Sequence, residues 1–159
     1  MRLRIGEVVV YGTHGVGRVS ARDDDIVVVE LEDGLTVTLP LERAREQLRA
    51  LADEAQLRDV ERTLREERTL SVDPWLTRRR ELQAKLSTGD LVQLAEVVGE
   101  GAQRERARVA KGNKPQLSPG EREMFVRARK LLSGEIARAR GIQPSAAEGW
   151  IDEQLERPA

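Results

Sequence analysis

Cysteine is absent from the 159-residue chain and histidine occurs once, so disulfides, thiolate metal sites, cysteine nucleophiles and the paired histidines of an HExxH zinc motif are all excluded. Aromatic residues make up only 3%, as two tryptophans, one tyrosine and one phenylalanine. That scarcity argues against an aromatic cage for methyl-lysine or a proline-rich peptide. No apolar run approaches the roughly 20 residues that cross a bilayer, and the N-terminus lacks the order of charged, apolar and small residues of a signal peptide. The expectation is a cytoplasmic protein with no membrane role. Glycine-rich phosphate loops and nucleophile motifs are also missing. His14 lies in a "THG" turn and is read as a turn residue rather than a base. No catalytic residue, metal site or cofactor is assigned, because a carboxylate hydrolase would need dispersed acids gathered in a cleft.

What is abundant is charge, at 35% of residues beside 39% hydrophobic ones, a balance that suits a helix-rich chain. The net charge of −1 hides an uneven distribution. Lys and Arg number 4 against 7 acids over residues 1–40 and 7 against 9 over 41–74, then 9 against 5 over 75–115 and 7 against 7 over 116–159. The one basic excess begins at Trp75, and a local basic region matters more to a polyanion than the average charge.

Alternating valines bounded by turn residues predict four strands, "EVVVY" (7–11), "VGRVSA" (16–21), "IVVVEL" (26–31) and "LTVTLP" (35–40), with Asp33-Gly34 as a hairpin signal. Their close spacing suggests a small SH3- or Tudor-like antiparallel barrel. Such a module has an exposed edge that could pair with a partner's strand, or it has no partner at all. From Leu41 the pattern turns helical through Leu48, Leu51, Ala55, Leu57 and Leu64. A second helix is predicted at Pro74 with Asp73 as cap, and a third over about 90–98, weakened by the glycines of "GEGA" (99–102). After an "AKGNKP" loop (110–115), Ser118 and Glu121 predict a capping box with Pro119 in the first position. That helix runs to Gly141 with Met124, Ala128, Leu131, Leu132 and Ile136 inward. "PSAAE" (144–148) repeats the capping pattern before a short last helix. The fold class is α+β, with a β domain over residues 1–42 and a compact helical domain over 43–159.

Trp75 admits two readings. Trp75, Leu82 and Leu86 fall near one helical face, which assigns the ring to the core. Its place in the first turn, with Arg78, Arg79 and Arg80 in the next, suits an apolar wedge beside arginines whose planar forks fit phosphate.

The segments "GEVVVYGTHGVGRV" (6–19), "LTVTLP" (35–40), "PWLTRRRELQAKLSTGDLVQLAEVV" (74–98) and "LSPGEREMFVRARKLLSGEIARA" (117–139) occur in an order that resembles the bacterial CarD/CdnL transcription regulators. The first is also similar to the polymerase-interacting module of transcription-repair coupling factors. The resemblance implies a Tudor-like domain that binds the β subunit of bacterial RNA polymerase and a helical domain that contacts promoter DNA. Trp75 matches a tryptophan that enters the minor groove at the upstream edge of the melted bubble, with Arg78, Arg79 and Arg80 near the phosphates. Arg104 and Arg122 match basic positions of the family. Thr36, Val37, Thr38 and Leu39 match the polymerase-contacting strand, with Thr38 where the family often has arginine, and Arg22 matches a further arginine. The implied function is a non-enzymatic, monomeric regulator without cofactor that stabilises the open promoter complex largely independently of sequence. The alternative is a helical assembly module, docked through its barrel, with no DNA role.

Overall fold

The computed structural model describes residues 1–114 and 117–157. Strands β1 (Val8–Tyr11), β2 (Gly15–Arg22), β3 (Ile26–Leu31) and β4 (Thr36–Pro40) come first, with a 3₁₀ turn at Gly12–His14. They are followed by α1 (Leu41–Gln47), β5 (Leu48–Ala50), α2 (Glu54–Arg65), α3 (Trp75–Thr88), α4 (Leu91–Ala110), α5 (Pro119–Arg140) and α6 (Pro144–Glu156). The architecture is α+β, and no helix among the described residues is long and apolar enough to cross a membrane.

The sheet is antiparallel in the order β4-β3-β2-β1-β5. Val9, Val19, Val27, Val29, Leu31 and Leu39 point to one side, where Leu3, Ala44 and Leu48 complete a core. Branched side chains suit this pleated surface because their restricted χ1 costs little in a strand. Asp23 accepts the N–H groups of Asp25 and Ile26 at 2.7 and 2.8 Å, which closes the β2–β3 turn. Gly34, at φ +95°, takes the left-handed position of the β3–β4 turn. The four expected strands all form, but the sheet stays open, since β4 and β5 are its edges and do not pair with each other.

The helix expected from Leu41 onward stops at Gln47. Leu48 is extended at φ −95° and ψ 139°, and β5 pairs with β1 through Leu48–Tyr11, Arg49–Val10 and Ala50–Val9. Residues 43–50, expected in the helical domain, therefore lie with the sheet, and the expected boundary after residue 42 falls inside α1. A three-residue strand among Glu and Arg carries no period of its own, and the open edge of β1 decides its conformation.

The helices enclose a second core around Leu57, Val60, Leu82, Leu94, Val98, Ala128, Leu132, Ile136 and Ile151. Asp53 and Gln56 form a reciprocal capping box on α2, at 2.9 and 3.0 Å. Elsewhere the expected capping bonds are absent, although Ser118 is the N-cap of α5 with Pro119 in its first turn, as expected. Pro74, not Asp73, occupies the N-cap of α3, and at the N-cap of α5 Ser118 makes no side-chain cap bond, while the Glu121 carboxylate that would return the second bond is turned towards Arg78. In α6 Gln143 is the N-cap and Ser145 lies within the helix. The "GEGA" glycines do not end a helix either, since α4 runs through them to Ala110. Gly101 is needed for close approach, since a Cβ there would lie 2.6 Å from the Phe125 ring, and at Gly99 the Arg68 guanidinium, the end of a flexible side chain, takes the space of a Cβ. Lys111 and Gly112 form a turn after α4, and Pro115 of the expected loop lies outside the described residues.

Candidate nucleic-acid interface and docking edge

Trp75 opens α3 at the rim of the helical core. One edge of its indole packs on the first turn of α5, where a Cβ on Gly120 would stand 3.4 Å from Cζ2. The Arg78 guanidinium lies 5.2 Å from the ring centroid, one helical turn on. The ring is half-buried, so helical spacing and helix-tip position each describe part of its environment. The sequence reading missed its neighbours: Val72 is 99% exposed and Leu76 69% exposed, so two further apolar side chains are open to solvent close to Trp75 in the chain. Only their position beside a braced tryptophan distinguishes them from ordinary surface residues.

The three consecutive arginines separate in space. Arg78 is 13% exposed, donates to Glu121 Oε1 at 2.6 Å and to the Asp73 carbonyl at 3.1 Å, and braces the start of α3 against α5. It is therefore not the free phosphate ligand expected, because its donors face inward. Arg79 and Arg80 are exposed and have no ion-pair partner among the described residues. Arg79 lines a groove of about 580 Å³ between Trp75, Gln83, Glu123, Arg127 and Thr13.

Arg104 is also inward. It is 14% exposed, pairs with Glu100 at 3.3 Å and donates to the Ser71 carbonyl at 3.0 Å, which holds the segment before α3 against α4. Arg122 is exposed but sits two residues past Gly120, about 200° around α5. It lines a different groove with Val98, Glu105 and Phe125. Of the expected DNA-facing residues, Trp75 and Arg79 line one groove, Arg80 is exposed about 140° around α3 from Trp75, Arg122 stands apart, and Arg78 and Arg104 are internal.

In the sheet, β4 is an edge strand. The bonds from Leu31 N–H to the Leu35 carbonyl and from Leu41 N–H to the Asp25 carbonyl bracket its ladder with β3. Antiparallel alternation then turns the main-chain groups of Val37 and Leu39 towards β3 and those of Thr36 and Thr38 outward. The side chain of Leu39 is buried in the sheet's core and Val37 packs against it, so these two expected contacts are not available as side chains. Arg22, expected as a partner contact, donates to the carbonyls of Arg2 and Leu3 and holds the N-terminal segment. His14 stacks on Tyr11 with ring centroids 4.9 Å apart.

Two family models match the chain. Residues 3–52 match the CarD-like/TRCF RID domain, and residues 59–152, more than half of the chain, match the C-terminal domain of CarD.

Proposed function

Because the chain belongs to the CarD family, whose domains have a transcription-related, RNA-polymerase-binding role, we propose that it links polymerase to promoter DNA and stabilises the open complex. Its β4 edge adds to a strand of the polymerase β subunit through the outward main-chain groups of Thr36 and Thr38. Its α3 tip meets the minor groove at the upstream edge of the bubble, where Trp75 wedges beside the bases and Arg79 and Arg80 hold phosphates. The protein acts as a monomer on DNA of largely arbitrary sequence, because arginine–phosphate contacts position a protein without reading bases. No bond is made or broken. The wedge opposes closure of the bubble by occupying space that restacked bases need.

The observation that carries this reading is the braced tip. Gly120 and Arg78 hold Trp75 in one orientation with part of the ring uncovered, flanked by exposed Val72 and Leu76 and by two arginines unpaired among the described residues. Replacing Trp75 by alanine tests it. The lifetime of the open complex formed with the cognate polymerase should fall about tenfold, or 1.4 kcal/mol. A half-buried ring should cost only about 1–2 kcal/mol of folding stability, less than the 3–5 kcal/mol of a fully buried tryptophan. An unchanged lifetime would instead favour a protein-assembly module without a DNA role.

A further inference from the structure

The buried apolar residues form two separate clusters, one against the sheet and one among the helices. Between them runs a groove of about 570 Å³ lined by Val16, Leu35, Leu131 and Glu135, so apolar packing across the junction is incomplete. Polar contacts join the halves beside it.

Glu135 of α5 is 2% exposed, and both of its oxygens are occupied. Arg49 of β5 donates to Oε1 at 2.5 Å and to Oε2 at 2.7 Å, and Ala52 N–H donates to Oε2 at 3.0 Å. The same guanidinium donates to the Gly89 carbonyl at 2.7 Å. Gly89 ends α3 at φ +65°, and a Cβ there would lie 2.7 Å from the Cα of Gly12, in the turn between β1 and β2. One carboxylate thus gathers β5, the link after it and, through Arg49, the last turn of the helix that begins at Trp75.

Both outer surfaces are tied rigidly to this point. The β4 edge is four strand spacings from β5, about 19 Å, through hydrogen-bonded ladders whose one irregularity among the described residues lies between Val19 and Ala21 of β2. Trp75 is one 14-residue helix away from Gly89, about 21 Å. A buried ion pair is a weak means of stabilising a fold, since its desolvation offsets much of its attraction. A guanidinium fork on a carboxylate is a strong means of fixing an angle, because both parallel bonds form in one orientation only.

We propose that the Arg49–Glu135 pair, with the Gly12–Gly89 contact, is a positioning lock that sets the distance and angle between the β4 edge and the α3 tip. The protein is then a rigid span between polymerase and DNA rather than two tethered heads. Rigidity concentrates the second contact at one separation once the first is made. The proposal rests on the two-contact function above.

Because the chain has no cysteine, cysteines at the exposed Glu46 and Glu81 can carry spin labels on the full-length protein. The native chain should give one narrow label–label distance, and Glu135→Gln, which keeps shape but loses the bidentate acceptor, should at least double its width. Glu135→Gln should shorten the open-complex lifetime about fivefold, while affinities for polymerase alone and for forked duplex alone stay within twofold. A merely unfolding change would weaken both separate affinities. If Glu135→Gln loses its cooperative melt, Arg49→Lys, which keeps the charge without the fork, carries the same comparison. A broad distance in the native chain overturns the lock, as does an unchanged lifetime when the distance broadens. An unchanged lifetime in Trp75→Ala removes the two-contact function instead, and the distance widths then decide the lock by themselves.

Discussion

The β4 edge and the α3 tip are both open to partners, but they present different chemistry. The edge offers main-chain N–H and C=O groups at Thr36 and Thr38, with its apolar side chains turned into the sheet's core. The tip offers side chains: Trp75 and Leu76 with Arg79 and Arg80 behind them. A main-chain surface tolerates side-chain substitution and fails when a donor is removed, whereas a side-chain surface behaves the other way. The tip also depends on a brace, the largely buried Arg78–Glu121 pair between α3 and α5.

The largest effect should come from that brace. Glu121→Ala leaves the Arg78 guanidinium unpaired in a site where the two side chains are 13% and 12% exposed. It should cost about 3 kcal/mol, a fall of roughly 6–12 °C in Tm. Arg79→Ala, one residue further along the same run, should stay within about 0.5 kcal/mol in the same thermal melts. Equal losses for the two would erase the distinction between brace and surface.

A smaller effect should appear at the edge. Thr38→Pro removes an outward donor without disturbing the ladder to β3, and the strand already ends in Pro40. Polymerase affinity should fall about tenfold, 1.4 kcal/mol, while Thr38→Ala stays within twofold. If alanine weakens binding as much as proline, the edge works through its side chains after all.

The smallest effect concerns the turn beside β4. Backbone N–H groups of Asp25 and Ile26 hold the Asp23 carboxyl below its ordinary value. A lowered folded-state pKa means that its stabilisation is present above the unfolded value and lost as pH falls through the folded one. The Tm gap between the native chain and Asp23→Asn should therefore stay constant from pH 7 to 5 and close below about pH 4. A gap that widens with acid would reverse the assigned sign.

Legibility differed between the halves for a physical reason. The β1–β4 strands could be read because each carries its own valine alternation and its own turn, as in Ile26–Leu31 followed by Asp33-Gly34. Strand β5 could not, because its only instruction is the unpaired edge of β1. The glycines at 99 and 101 read as helix breakers because propensity registers their entropy and not the Arg68 and Phe125 groups that occupy the space of a Cβ. Ser118 and Glu121 match a capping box in spacing, yet Glu121 finds a buried guanidinium 43 residues away.

By itself the sequence determined that a valine-rich sheet precedes a helical body, that a helix begins near Pro74, and that basic charge gathers behind Trp75. Periodicity, turn chemistry and charge are local, so these features needed no partner. The tertiary structure decided which arginines face outward: Arg78 and Arg79 are adjacent and chemically identical, and only α5 across from them supplies the carboxylate that draws one inward. It also decided how the halves are held, through Arg49 and Glu135, 86 positions apart. No local pattern links two charges so distant, because their pairing is created by the fold that brings them together.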